Sequence, residues 1–130
     1  MLFRSVAWNW KADSSNTTNS NGSITSNIRV NTTSGFSIVT FTAGNGASPS
    51  YITVGHGLSA APNMVILKRR NSTSGWLVYH SSLSTPATQF LQLDTSGIVQ
   101  TASPFWGVSG MTSTTLGFSD NAVKIGRAHV

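Results

Sequence analysis

The apolar and aromatic residues of this chain fall into short runs, and clusters of Ser, Asn and Gly separate each run from the next. In residues 36–42 and 76–80 the side chains alternate between two faces, as they do in a half-buried β-strand. No segment has the 3.6-residue period of an amphipathic helix. Short strands spaced by turn signals predict an all-β fold, either an antiparallel β-sandwich or a jelly roll.

The pattern predicts eight or nine strands. The candidate segments share apolar, aromatic or Thr residues bounded by turn signals, and they are residues 6–10, 24–30, 36–42, 51–54, 64–67, 76–80, 90–93, 98–99, 105–106 and 114–118. Residues 64–67 are apolar at four successive positions, which predicts a central strand buried on both faces. Residues 13–23 have no apolar side chain and predict a loop or linker, because nothing there offsets the entropy lost on ordering.

The composition excludes several classes of protein. Charged residues make up 8% of the chain, Glu is absent, and 59 of the 130 residues are Ser, Thr, Asn or Gly, which does not suit a helical bundle. Four Trp, six Phe and two Tyr are too many aromatic residues for a disordered tail. Without Cys there is no disulfide framework and no cysteine nucleophile. No apolar run approaches the roughly 18 residues of a membrane-spanning helix, so we expect no membrane insertion.

Carboxylates are too scarce to favour hydrolysis. A glycosidase normally uses two carboxyl groups, and the chain offers only Asp13, Asp94 and Asp120. Asp94 precedes Thr-Ser-Gly, which is typical of a residue that starts a turn. The chain also lacks the G-x-S-x-G motif of a nucleophilic serine. We therefore expect no catalytic residue and no enzymatic activity, with a polysaccharide-degrading enzyme as the alternative.

The residues that could bind a metal are equally sparse. Zinc sites need a cluster of His and Cys, and the internal histidines His56 and His80 are isolated in the sequence. His56 stands between two glycines, which predicts a turn residue with a hydrogen-bonded ring. We predict no metal site and no cofactor, leaving open only a weak calcium site made of carbonyl groups.

Lys68, Arg69 and Arg70 form the one basic cluster of the chain. Strand alternation places Lys68 and Arg70 on one face and Arg69 on the other. Such a cluster is typical of a solvated strand end that discourages aggregation. It could also contact an anion, such as an acidic polysaccharide or a phosphate.

The aromatic residues are the strongest candidates for ligand binding. Trp and Tyr present a flat ring with a polar group, which suits stacking on a sugar, although many such rings pack in a core. Trp76 stands in a strand pattern, whereas Trp106 lies in the loop-like Ser-Pro-Phe-Trp-Gly and could be either exposed or buried. The aromatic candidates are Trp8, Trp10, Trp76, Tyr79 and Trp106. With the basic cluster included, the predicted ligand-binding residues are Trp106, Trp76, Tyr79, Lys68 and Arg70.

Several motifs resemble those of uncharacterised β-sandwich domains in tail-fibre and other structural proteins of marine bacteriophages. The matching stretches are Trp10-Lys11, residues 21–26, residues 31–41, Thr53-Val-Gly-His-Gly-Leu58, Ala61-Pro62, residues 64–70, Trp76 and Tyr79-His80. The resemblance implies a concanavalin-A-like sandwich and a structural role, with Gly55, Gly57 and Pro62 as turn residues. It supplies no catalytic residue.

This resemblance also implies where the protein acts. We expect an extracellular location in the virion, in the phage tail, with other virion proteins as partners and host-surface polysaccharide as a further one. A homotrimer would fit, because fibre proteins are often trimers. A bacterial secreted carbohydrate-binding module is a second alternative, since its composition and strand pattern would look the same.

The two ends of the chain look foreign to the domain. Residues 1–5 and 124–130 resemble translations of a pair of sequencing adapters, as expected for a metagenomic fragment. We therefore assign residues 6–33 to an N-terminal strand and polar linker-like segment and residues 34–123 to the sandwich core, and we expect the core to lack its C-terminal strand. Without Arg4, Lys124 and Arg127 the net charge falls from +5 to +2, so we expect no nucleic-acid partner.

Overall fold

The structure, a computed structural model, describes residues 5, 7, 9–13, 15–43, 51–70, 73–102, 105–107 and 110–119. These residues contain nine β-strands and no helix, as the sequence predicts. The strands are β1 (Thr17–Asn19), β2 (Ser26–Asn31), β3 (Phe36–Phe41), β4 (Tyr51–Gly55), β5 (Met64–Lys68), β6 (Trp76–His80), β7 (Gln89–Gln92), β8 (Gln100–Thr101) and β9 (Thr115–Ser119). The residues assigned to the adapters, except Ser5, lie outside the described residues, as does Trp8.

The strands form antiparallel sheets with the orders β1-β2-β3, β4-β9 and β5-β6-β7-β8. The first two sheets meet at the segment that leads into β2, where the Ile24 N–H donates to the Thr53 carbonyl at 3.1 Å. Isolated bridges from Gly22 and Ile24 to Val54 extend the same junction. The architecture is therefore an antiparallel β-sandwich, as predicted.

One hydrophobic core joins the three sheets. Its residues are Ile28, Val39 and Phe41 from the first sheet, Val54, Leu116 and Phe118 from the second, Val65, Leu67, Leu77 and Phe90 from the third, and Phe105 and Trp106 from the segment between β8 and β9. The predicted alternation in β3 is confirmed, because Val39 and Phe41 are buried while Ile38 is 42% exposed. Removal of this apolar surface from water is the main force that holds the layers together.

The predictions for residues 13–23 and 105–106 differ from the structure. Part of segment 13–23, which we predicted as a loop or linker, forms β1, because strand pairing uses backbone groups and does not require a buried side chain. Residues 105–106, a strand candidate, form a bend instead of a strand. Their side chains are nevertheless fully buried. The apolar pattern at these positions therefore indicated core residues but not a strand.

The run at residues 64–67 does not form a central strand. Among the described strands, β5 pairs only with β6 and lies at the edge of its sheet. Val65 and Leu67 face the core, but Met64 is 52% exposed and Ile66 is half-buried. The prediction of burial on both faces was wrong, because Met64 and Ile66 lie on the face away from the core and neither is fully buried.

The Gly55-His56-Gly57 stretch forms a corner at the end of β4, and its two glycines are needed to different degrees. At Gly55 a Cβ atom would overlap the side chain of Asn19, which would have to move. Gly57 has a φ of +74°, and a Cβ would lie 2.5 Å from Cδ1 of Ile28. Side chains rarely adopt such a φ, so Gly57 is structural, as the sequence pattern indicated.

His56 ties this corner to its neighbours. The Leu58 N–H donates to Nδ1 of His56 at 3.1 Å, so Nδ1 is unprotonated and the proton lies on Nε2, which donates to the Thr112 carbonyl at 3.1 Å. The Ser37 hydroxyl donates to the His56 carbonyl at 2.6 Å. His56 is only 1% exposed, and burial lowers its pKa from the usual value of 6.5. The predicted turn residue with a hydrogen-bonded ring is confirmed.

Candidate functional site: the outer face of the β5–β6 hairpin

The side of the β5–β6 hairpin that points away from the core carries one of the two exposed tryptophans among the described residues. Lys68 stands directly opposite Trp76 across the hairpin, and Ile66 stands opposite Val78. Directly opposed residues in an antiparallel pair share a face. We call the side formed by these four residues the outer face. Trp76 is exposed there, whereas Ile66 is half-buried and Val78 is buried, at 5% exposure.

Trp76 is fixed at the backbone while its side chain stays accessible. The residue is 45% exposed. Its N–H donates to Oδ1 of Asp94 at 3.1 Å, and its carbonyl accepts the Leu93 N–H at 3.1 Å. Anchors on both backbone groups limit the movement of the strand end that carries the ring, so binding there would order little additional backbone.

Lys68 is held beside this ring. Its Nζ donates to the Ser74 carbonyl at 2.6 Å and lies 5.7 Å from the centroid of the Trp76 ring. That distance is within the range of a cation–π interaction. The positive charge is therefore placed at the aromatic surface and is not dispersed on a mobile side chain.

Arg70 follows β5 in a bend and is exposed. The prediction that Arg70 shares a face with Lys68 rested on strand alternation, which no longer determines side-chain direction once the strand ends at Lys68. Arg69 is half-buried. The three cations are thus consecutive in the chain, and Lys68 is the one that lies over the Trp76 ring.

Two polar side chains beside Trp76 were missed as site residues. A Cβ at Gly75 would lie 3.0 Å from Nε2 of Gln92 and 3.4 Å from Oδ1 of Asp94, so both groups lie close to the backbone just before Trp76. Asp94 does occupy a turn, as predicted, and it also accepts the Trp76 N–H. The Gly75-Trp76 dipeptide could have indicated them, because a glycine before the tryptophan leaves room for polar side chains next to it.

Trp106 and Tyr79 do not belong to the outer face. Trp106 is 0% exposed, and its indole N–H donates to the Gln89 carbonyl at 2.7 Å. Tyr79 is half-buried against the core and meets Trp106 edge-on at 5.6 Å, and burial raises the Tyr79 pKa above 10.0. We predicted that both rings bind ligand together with Trp76. The structure contradicts this, because Tyr79 lies on the other side of β6 and Trp106 fills the core.

No group of three or more His, Cys, Asp or Glu side chains that could hold a metal occurs within the described ranges. His56 uses both ring nitrogens inside the corner, and Nδ1 of His80 accepts the Ser82 N–H at 3.1 Å. The part of the chain that the structure describes has no helix of the length and apolar character needed to span a membrane.

Comparisons with known proteins place the chain in a family but give no function. Neither the curated proteins nor the solved structures include a match. A family model described as a domain of unknown function, DUF7483, matches residues 3–130. On that match the chain belongs to the DUF7483 family.

Proposed function

We propose that this domain is a non-enzymatic structural module of a virion, in a phage tail fibre or related tail protein, and that its outer face contacts host-surface glycans. One observation supports the glycan contact: Trp76 is 45% exposed although its backbone N–H and carbonyl are both hydrogen-bonded. The phage role rests on the resemblance of the sequence motifs. The sandwich would act by shape and by weak surface contacts.

The charge at the outer face favours an acidic glycan. Lys68 lies at the Trp76 ring, and Arg69 and Arg70 follow it in the chain. A sugar ring can stack on the indole while its carboxylate is attracted to the neighbouring cations. Each contact would be weak, but repeated copies of a domain along a fibre raise the apparent affinity without any new contact.

The position of Asp94 supports binding over hydrolysis. Its Oδ1 accepts the Trp76 N–H, so the carboxylate helps to place the aromatic residue. Glycoside hydrolysis needs a second carboxyl group across the scissile bond. Among the described residues the other carboxylate is Asp13, which lies beside β2 and not on this face.

A glycan array and a host-cell binding assay with the complete chain test this proposal. We expect the wild type to bind acidic polysaccharide, with binding that weakens as salt rises. Trp76→Ala should lower the affinity by about tenfold or more, which corresponds to about 1.4 kcal/mol. Ile98→Ala is the matched control, because Ile98 is also an exposed apolar residue, at 85%, and should bind like the wild type.

Equal binding by Trp76→Ala and the wild type would remove the contact from the outer face. Wild-type protein that binds neither the glycans nor the cells would refute the glycan part of the proposal and leave a scaffold role.

A further inference from the structure

A second surface, formed by residues 11–13 and the end of β2, combines a cleft with an exposed aromatic ring beside it. The cleft has a volume of about 350 Å³ and lies between the N-terminal segment and the end of β2. Its lining residues are Lys11, Ala12, Asp13, Val30, Asn31 and Thr32. Ligand sites in proteins begin at about 300 Å³, so the cleft has room for a small ligand.

The cleft has a defined wall because Asn31 holds the N-terminal segment. Its Nδ2 donates to the Lys11 carbonyl at 3.4 Å, and its Oδ1 accepts the Ser34 N–H at 3.1 Å. Asn31 pairs with Phe36 across the β2–β3 hairpin. Residues 11–13 are therefore attached to a paired strand.

Trp10 adds an aromatic surface next to this wall. Its ring stacks on Phe36 with centroids 5.8 Å apart and an angle of 20° between the planes. Trp10 is nevertheless 60% exposed, more than Trp76. Phe36 thus supports the indole, and a large part of the indole remains accessible to solvent.

The polar groups of the cleft suit a ligand with many hydroxyl groups. Lys11 can donate hydrogen bonds, Asp13 can accept them, and the Thr32 hydroxyl can do both. The Asn31 amide keeps one N–H and one lone pair beyond the bonds described above. An aromatic face beside such a mixed set of donors and acceptors matches a pyranose, which has an apolar C–H face and a rim of hydroxyls.

We infer that this cleft binds one neutral hexopyranose unit of a polysaccharide, with Trp10 stacking on the sugar and Asp13 accepting from its hydroxyls. The inference rests on the proposed function, because it assumes that the domain contacts glycans. Of the described residues that line the cleft, Lys11 is a cation and Asp13 an anion, and their charges offset each other. A neutral sugar fits this balance, whereas the run of cations at Lys68 favours an acidic one.

An NMR titration of the complete chain with the methyl glycosides of glucose, galactose and mannose tests the inference. We expect at least one of them to shift the Trp10 indole resonance and the Lys11–Asp13 amide resonances in a saturable way at millimolar concentrations. The Trp76 indole resonance should stay in place. The binding should change little with salt, because no net charge is neutralised.

Variants locate the contact. Trp10→Ala and Asp13→Asn should each weaken binding of the methyl glycoside by about tenfold, the size of one good contact. Trp10→Phe, which keeps an aromatic ring above Phe36, should retain part of the affinity and guards against a folding defect in Trp10→Ala. Trp76→Ala is the matched control and should bind the methyl glycoside like the wild type.

The outcomes separate this inference from the proposed function. If no methyl glycoside gives a saturable shift while Trp76-dependent binding of acidic glycan persists, the inference is refuted and the proposed function stands. If Trp10→Ala loses the methyl glycoside and Trp76→Ala binds acidic glycan like the wild type, the inference stands and the outer-face contact is refuted. Saturable shifts that survive in both Trp10→Ala and Asp13→Asn would refute the cleft as the binding site.

Discussion

The surroundings of Trp106 and of Trp76 show two opposite uses of the same side chain. Trp106 is fully buried between Phe105, Tyr79 and Phe118, and its N–H is bonded to a backbone carbonyl. Trp76 lies in a regular strand, yet nearly half of it is exposed beside a lysine. The residue in the irregular segment is the core residue, and the residue in the strand is the candidate for binding.

This contrast shows that local sequence context is a poor guide to aromatic exposure. A loop-like stretch can turn its tryptophan into the core if a partner accepts the indole N–H, as the Gln89 carbonyl does. The outer face of the β5–β6 hairpin is covered only in part, because Val78 is 5% exposed while Trp76, at the end of the same strand, is 45% exposed. The function of an aromatic residue therefore depends on which layers cover it.

The largest expected effect is that of Trp106→Ala on stability. Removal of this fully buried ring should lower the free energy of unfolding by about 3–5 kcal/mol, because the lost contacts leave a cavity. Chemical denaturation followed by circular dichroism measures the change. A variant as stable as the wild type would mean that Trp106 does not fill the core, and the contrast with Trp76 would fail.

A smaller loss is expected from Gly57→Ala at the corner after β4. The positive φ and the approach to Ile28 should together cost about 2–3 kcal/mol. Gly35→Ala is the matched control, because Gly35 also has a positive φ, +66°, but no atom within 4 Å of the added methyl group, and it should cost about 1 kcal/mol. Equal losses at the two positions would show that the contact with Ile28 does not matter.

His56 should make stability depend on pH. Its pKa is lower in the folded protein than the unfolded value of 6.5, because burial disfavours the charged ring. Above pH 6.5 the full stability is present, and as the pH falls below 6.5 the unfolded state takes up a proton that the folded state does not. The free energy of unfolding should therefore decrease with acidification, until the pH passes below the folded pKa.

Urea denaturation at a series of pH values between about 7.5 and 5, which span the unfolded pKa, would measure the slope of the free energy of unfolding against pH. His56→Gln should reduce the slope, whatever its effect on the stability at neutral pH. A slope that persists unchanged in His56→Gln would contradict the assignment.

The smallest effect on stability is expected from Trp76→Ala. Loss of an exposed ring and of its cation–π contact with Lys68 should cost about 0.5–1 kcal/mol. The same denaturation experiment as for Trp106→Ala gives a direct comparison of one substitution at two sites. A loss as large as that of Trp106→Ala would make Trp76 a structural residue and weaken its proposed role in glycan contact.

The strands that could be predicted are those with a buried face. Residues 76–80 were predicted with the observed bounds of β6, because their alternation matches a half-buried strand and Gly75 precedes them. β1 could not be predicted, since its pairing with β2 relies on backbone groups and leaves no apolar pattern in the sequence. β8 was predicted two residues too early, at Ile98 and Val99, which are both exposed.

The candidate sites were predictable only in part. Trp76 and Lys68 were both identified, but their direct opposition depends on the register of the β5–β6 hairpin, which the sequence alone does not specify. The burial of Trp106 depends on residues from β6, β7 and β9. The cleft unites residues 11–13 with residues 30–32, about twenty positions later in the chain. The hydrogen bond from Asn31 to Lys11 and the stack of Trp10 on Phe36 bring the two segments together.

The fit between Asn19 and Gly55 gives one amide two tasks. The Asn19 side chain fills the space where residue 55 would carry its first carbon, and its Oδ1 accepts the Asn21 N–H at 2.9 Å. A side chain at position 55 would therefore displace the Asn19 amide and with it the hydrogen bond that holds the turn after β1.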